Sequence, residues 1–165
     1  MSQLYFYCEK WSHFYRDSLD FLSEKDAYKR HLAGKPYSVL VGSSFAPSHV
    51  IEITKTKSVH VDFLDAQLKE YISYQFQPIN NGKLFLSMAV YREFAEKEGE
   101  GAGYLNVSHG ETYLFKEDGK VTIMKEIFNP YSFKESTSIG AIDLSGNYDE
   151  FPEFGKYESL LRKER

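Results

Sequence analysis

Residues 112–127, TYLFKEDGKVTIMKEI, constrain the fold of this chain more than any other stretch. Two runs rich in Tyr, Leu, Phe, Val and Ile flank Asp118-Gly119, where Gly adopts positive φ at no steric cost and Asp tolerates it. This pattern predicts a β-hairpin. On the arms, Tyr113 and Phe115 share one face going in, and Val121, Ile123 and Ile127 share one face coming out. Each arm thus buries one side of a sheet, and since an isolated hairpin is marginal in water, neighbouring strands must extend it.

Those neighbours are legible upstream. Residues 37–41, 49–54, 59–63, 71–77 and 83–94 read as strands, with turns at Gly42 to Pro47 and at Asn80-Asn81-Gly82. Residues 64–68 fit a helical turn, residues 96–103 a charged flexible loop, and residues 104–108 a short strand. The run lacks the strand–helix–strand rhythm of a parallel sheet, so an antiparallel meander is expected. Towards the N-terminus, Trp11, Phe14, Tyr15, Leu19 and Leu22 recur at three- and four-residue steps, which predicts an amphipathic helix. Ser23 followed by Asp26 marks a helix start, and Gly34-Lys35-Pro36 a stop. After Asn129-Pro130, residues 132–146 lose periodicity, and residues 155–165 fit a short helix with Tyr157, Leu160 and Leu161 inward. The expected architecture is a single α+β domain over residues 1–165: an N-terminal helical segment at about 10–34, an antiparallel β-meander at about 37–128 packed against it, and an irregular acidic tail with a short C-terminal helix at about 129–165.

A net charge of −4 argues against a nucleic-acid partner, which selects for a basic face, and favours a partner with a basic surface. Cys8 is the only cysteine, so neither an intramolecular disulfide nor a cysteine-rich metal site is available, and a reducing, cytoplasmic setting is expected. No apolar run is long enough for a membrane span. With 13 Tyr and 13 Phe, the aromatic complement exceeds what a small core needs, so part of it faces solvent.

Candidate chemistry is sparse. His60 and Asp62 lie two apart in an expected strand and share a face, yet two ligands are not a metal site, and a solvated face is the simpler placement. Ser108-His109-Gly110-Glu111 places a hydroxyl, an imidazole and a carboxylate in what reads as one tight turn, but a nucleophile, its base and an orienting group normally converge from separate parts of a fold. Ser43-Ser44 and Ser48-His49 flank a loop without a nucleophile-elbow or phosphate-binding pattern. Cys8 has no cationic neighbour in sequence to activate it and reads as a buried, inert thiol. No catalytic residue, metal ligand or cofactor is assigned. His13, His31, His49, His60 and His109 form the pool from which a dispersed site would draw a base.

The tail supplies the best functional signal. Asp143, Tyr148, Asp149, Glu150, Phe151 and Glu153 interleave carboxylates with aromatics, the composition of a surface that steers a basic partner by charge and anchors it by aromatic burial. Small size, acidity, abundant Tyr and Phe and an antiparallel sheet together resemble the immunity proteins encoded beside bacterial polymorphic or contact-dependent toxins. The resemblance is one of composition and architecture. It implies a cytoplasmic protein that binds a cognate toxin domain, often a nuclease, and occludes it, with Glu93, Glu96, Glu98 and Glu100 adding to the acidic surface. Two other classes fit the same pattern: a β-barrel or cup around a small apolar ligand, and an enzyme with a dispersed site.

Overall fold

The computed structural model describes residues 2–165. Its framework is one antiparallel sheet: β1 (Tyr5–Ser12), β2 (Asp17–Leu22), β3 (Tyr37–Val41), β4 (His49–Ile53), β5 (Val59–Leu64), β6 (Glu70–Pro78), β7 (Lys83–Phe94), β8 (Val107–Phe115), β9 (Lys120–Phe128), β10 (Tyr131–Ile139) and β11 (Tyr148–Glu150), with one helix, α1 (Glu24–Leu32). The spatial order is β10-β9-β8-β7-β6-β5-β4-β3-β1-β2, and β11 pairs with the start of β7. β10 and β2 are the two edges, so the sheet is open rather than closed into a barrel. Strands account for 50% of the chain and helices for 12%, which makes the fold sheet-dominated, and the α+β description fits it only roughly.

The opening hairpin forms as its sequence predicts. β8 and β9 pair Tyr113 with Ile123 and Phe115 with Val121, Gly119 takes φ 92°, and the Asp118 carboxylate accepts from the Lys120 amide at 2.9 Å. Strands β3 to β7 also lie where the alternating pattern places them. Their shared face carries Val39, Ile51, Val61 and Tyr74 in one cross-strand row, sealed by Ala27 of α1 and by Tyr157 and Leu160 of the C-terminal segment.

Five expectations are corrected. Residues 10–22 form the β1–β2 hairpin, not a helix, and the helical part of the expected 10–34 segment is α1 alone, capped by Ser23 accepting from the Asp26 amide. The three- and four-residue spacing misleads because Phe14, Tyr15 and Leu19 are exposed; only Trp11 of the five apolar residues is fully buried. Residues 132–146 are not irregular throughout, since β10 pairs along its whole length with β9. As an edge strand exposed on nearly every residue it needs no apolar alternation, so its pattern gave no strand signal. The C-terminal helix is a single 3-10 turn, Glu158–Leu161, although Tyr157 and Leu160 are buried as expected. Leu64 ends β5 and residues 65–68 form a turn with Leu68 at φ 61° rather than a helical piece, and the strand expected at residues 104–108 begins only at Val107.

β1 pairs with β3 only through Tyr5 to Cys8. Beyond Cys8 the β1–β2 hairpin folds across the face opposite α1, so that His13 reaches Asp62 on β5 and Arg16 donates to the Gln67 carbonyl at 3.3 Å. Beneath it lies a second, smaller core of Cys8, Trp11, Leu40, Val50 and Leu64.

Candidate functional site

Next to this second core, the same face gathers a polar cluster drawn from five parts of the chain. Alternation along β5, β6 and β7 turns Asp62, Ser73 and Arg92 away from α1, because their neighbours Val61, Ile72 and Tyr74 face the main core and Tyr91 stands beside Tyr74 on the same side. Glu70 opens β6 on that face, opposite Leu64. The β1–β2 turn lowers His13 onto them, and the β7–β8 connection brings Tyr104.

His13 Nε2 lies 3.3 Å from Asp62 Oδ2, and its Nδ1 3.8 Å from Glu70 Oε1. Ser73 Oγ donates to Asp62 Oδ1 at 2.5 Å and accepts from Arg92 Nη1 at 2.8 Å. Arg92 Nη1 also donates to the Glu70 main-chain carbonyl at 3.2 Å, and the Tyr104 hydroxyl donates to Glu70 Oε1 at 2.5 Å. Burial pushes the Asp62 carboxyl above its ordinary range, against the opposing pull of His13 and Ser73. The Tyr104 hydroxyl is also pushed upward, by burial first and then by Glu70. Compensation is incomplete: Glu70 Oε2, His13 Nδ1 and Trp11 Nε1 are buried without hydrogen-bond partners.

The arrangement resembles a catalytic triad in composition but not in connectivity. Both imidazole nitrogens of His13 face carboxylates, leaving neither to take a proton from a nucleophile, and the Ser73 hydroxyl is spent on Asp62. Its chemistry is that of a charge-linked brace between β5, β6, β7 and two overlying loops. Among the described residues, no group of three His, Cys, Asp or Glu side chains is placed to hold a metal ion.

The β7–β8 connection is built firmly above the cluster. Asn106, at φ 58°, donates to the Ala95 and Lys97 carbonyls and accepts from the Gly101 amide at 2.7 Å. A side chain at Gly101 would run into the Asn106 backbone, its Cβ only 2.3 Å from a carbonyl carbon. The glycine-rich stretch expected to be flexible is therefore tied down. It carries Tyr104 outward beside Phe14 and Tyr15 of the β1–β2 turn, with ring centroids 5.9 Å apart for Phe14–Tyr104 and 5.1 Å for Phe14–Tyr15. These three rings are 49–77% exposed. A cleft of about 650 Å³ adjoins this crest, lined by Tyr104 and by Glu96, Glu98, Asp65, Arg16 and Lys69.

The residues singled out from sequence are placed as follows. Asp62 joins the cluster with His13 rather than with His60, and lies against the second core rather than on a solvated face. Ser108, His109 and Glu111 lie within β8, not in a turn. Strand alternation separates Ser108 from the other two: its hydroxyl donates to the Glu93 carbonyl, while His109 stands 3.8 Å from both Glu93 and Glu111 carboxylates. His49 rests edge-on against Phe63, and Ser48 bonds its Nδ1 at 2.8 Å. Cys8 is fully buried, with its thiol pushed up to about 11.

In the tail, Asp149 is an internal charge, 6% exposed, paired with Arg165 at 2.9 Å, and it accepts from Ser159 at 2.9 Å. Phe151 stacks on His31 at 5.9 Å and packs against the main core. Tyr148 pairs with Phe85 in β11, and its hydroxyl donates to Glu117 at 3.3 Å. Glu153 is exposed and joined to Lys156, whose proximity lowers the Glu153 pKa. Asp143 is exposed and accepts from the Ser145 amide, while Glu150 is exposed at the end of β11. The tail thus divides into groups that complete the fold and groups that face solvent.

Comparison with protein-family models, with curated proteins and with solved structures finds no match in any of the three. No helix among the described residues is long and apolar enough to cross a membrane.

Proposed function

We propose that this chain is a protein-binding module, acting in the cytoplasm as an immunity protein that occludes a cognate toxin domain with a basic surface. The observation that carries the reading is the exposed crest of Phe14, Tyr15 and Tyr104 mounted on a buried polar brace beside the acidic Glu96–Glu100 loop. Exposed aromatics held in place lose little conformational freedom on binding and supply the large contact areas that dominate interface energetics. The adjoining carboxylates select basic partners and speed their encounter. Asp143, Tyr148, Glu150 and Glu153 offer a second acidic surface on the tail, where Asp149 and Phe151 serve as structural supports.

The test is co-expression with the protein encoded beside this one. Rescue of growth and a stable complex on gel filtration are expected. Phe14→Ala with Tyr15→Ala should weaken that complex at least about 30-fold, since central aromatic anchors are worth about 2 kcal/mol or more. Glu150→Lys with Glu153→Lys reports on the tail separately, through the salt dependence of affinity. A neighbouring product that stays toxic and forms no complex would overturn the reading.

A second reading, binding of a small ligand, is favoured by one feature of the α1 face. A cleft of about 460 Å³ between the β7–β8 strands and the C-terminal segment is lined by Tyr74, Tyr91, Tyr113 and Phe115, with Glu111, Asp143, Lys163 and Arg165 among its charged residues. A thermal-shift screen with aromatic carboxylic acids tests it, stabilisation being the supporting result.

A further inference from the structure

The sheet ends in two edges of different character. β2 is short, is interrupted at Asp20, which takes φ 53°, and exposes Asp17 and Asp20. Short length, a backbone irregularity and charge are the devices that keep an edge strand from pairing. β10 has none of them to the same degree. Its 9 residues pair with β9 without a register shift, and its only charged residues are Lys134 and Glu135, one of each sign. Tyr131, Phe133 and Ile139 are 66%, 46% and 76% exposed.

Backbone groups along this edge alternate in direction. The Gly140 amide donates to the Gly119 carbonyl at 3.2 Å, one step beyond the Ile139–Lys120 pair. In an antiparallel ladder the N–H and C=O groups of Ser132, Lys134, Ser136 and Ser138 therefore also turn towards β9, and those of Tyr131, Phe133, Glu135, Thr137 and Ile139 turn away. Among the described residues no strand pairs with that outward row.

Charge selects the register in which two such edges fit. Copies related by a two-fold axis normal to the sheet pair antiparallel about one residue that faces itself. Centring on Lys134 or Glu135 sets like charges directly opposite each other, which is destabilising. Centring on Phe133 or Thr137 shortens the ladder. Centring on Ser136 sets Glu135 opposite Thr137, Lys134 opposite Ser138 and Phe133 opposite Ile139 of the second copy, and it partners every outward N–H and C=O from Phe133 to Ile139. The contact uses the same edge on both copies, so it closes at two chains and leaves only the guarded β2 edges outside.

We propose that β10 is a homodimer edge, two copies of this chain pairing antiparallel about Ser136 so that the sheet continues from one into the other. The pairing does not depend on the toxin-binding reading of the crest. A ladder of this length falls short of the roughly 20–30 residues a side of a standard interface, so the dimer is reversible, with a micromolar Kd.

Sedimentation equilibrium of the full chain over a concentration series tests it. A monomer–dimer equilibrium is expected, and a monomer that persists to about 1 mM overturns the proposal. Thr137→Pro removes an outward N–H that β9 does not use, so the β9–β10 ladder survives while dimer affinity falls at least about tenfold. Unchanged affinity overturns the assignment to β10. A second variant is independent of the first: Ser136→Cys sets two thiols face to face in a non-hydrogen-bonded pair, where Cα atoms lie about 4.5 Å apart and within disulfide reach. Cys8 is fully buried and does not compete. On air oxidation Ser136→Cys should link the chains at least about tenfold faster than Ser132→Cys, an exposed position on the same side of β10 that would face Gly140 and not itself. Equal or slower linkage overturns the pairing about Ser136.

Discussion

On the α1 face of the sheet, Val39, Ile51, Val61, Phe63 and Phe76 are sealed beneath a helix and an aromatic C-terminal segment; on the other face a small apolar island around Trp11 gives way to His13, Asp62, Glu70 and Arg92. Both faces are set by the same strand alternation, so the contrast comes from what lies over them. α1 and residues 151–160 bring apolar rings, whereas the β1–β2 turn and the β7–β8 connection bring an imidazole and a phenol. Where the α1 face buries charge, a charged partner meets it, as at Asp149 and Arg165, although Arg165 Nε and Nη1 stay without hydrogen-bond partners. Where the opposite face buries Glu70, one oxygen stays uncompensated. Each face thus buries a charged group with part of its hydrogen-bonding capacity unmet, and the two differ in pairing: Asp149 and Arg165 meet charge to charge, whereas Glu70 is hydrogen-bonded by the Tyr104 phenol.

The largest expected effect lies on the α1 face. Asp149→Ala strands the Arg165 guanidinium, whose side chain is 3% exposed and stacked 4.7 Å from the Phe76 centroid. Removing one partner of a buried pair should cost about 3–5 kcal/mol, measured by urea unfolding. A cost below that of ordinary surface substitutions would show that water reaches this pair and that the two faces are less different than their burial implies.

On the opposite face, Ser73→Ala takes a donor from Asp62 and an acceptor from Arg92 together. It should cost about 1–3 kcal/mol, because partly buried charged groups lose partners that water replaces only in part. The smaller value follows from the cluster's other links, since Asp62 keeps His13 and Arg92 keeps the Glu70 carbonyl. An effect as large as that of Asp149→Ala would mean that the brace collapses as a unit.

The contrast between the faces also decides what the sequence discloses. The α1 face was readable because apolar alternation in β3 to β9 is a local signal, and the Asp118-Gly119 turn fixes its own register. β1 and β2 were hidden because the exposed Phe14, Tyr15 and Leu19 mimic a helical stripe. β10 was hidden because an exposed edge needs no pattern. The polar cluster left one trace, Asp62 on the polar side of an alternating strand. His13, Glu70, Ser73, Arg92 and Tyr104 come from separate elements, and only the fold of the β1–β2 hairpin across the sheet brings them together. In the tail, interleaved aromatics and carboxylates read alike whether they face a partner or the chain's own core; Phe151 and Asp149 took the second course.

The smallest effect is the acid-side loss of stability carried by two histidines of the α1 face. Burial lowers the pKa of His31, with the Lys57 charge adding to it, and burial likewise lowers that of His49. In the unfolded chain both titrate near about 6.5. Because the folded values lie below this, the folded state binds fewer protons in the window between them, and stability falls as pH falls through that window. The contribution is complete above the unfolded value and lost below the folded one. His31 holds its place through Nδ1, 2.9 Å from the Tyr37 hydroxyl, and through its stack on Phe151. His31→Phe keeps the stack and removes the titration, so thermal unfolding followed from about pH 7.5 to about pH 5 should show a shallower acid-side decline than the parent protein, with the His49 share remaining. An unchanged slope would assign the acid sensitivity to His49 and to carboxylates whose pKa the fold lowers, such as Glu111, and would remove His31 from the account.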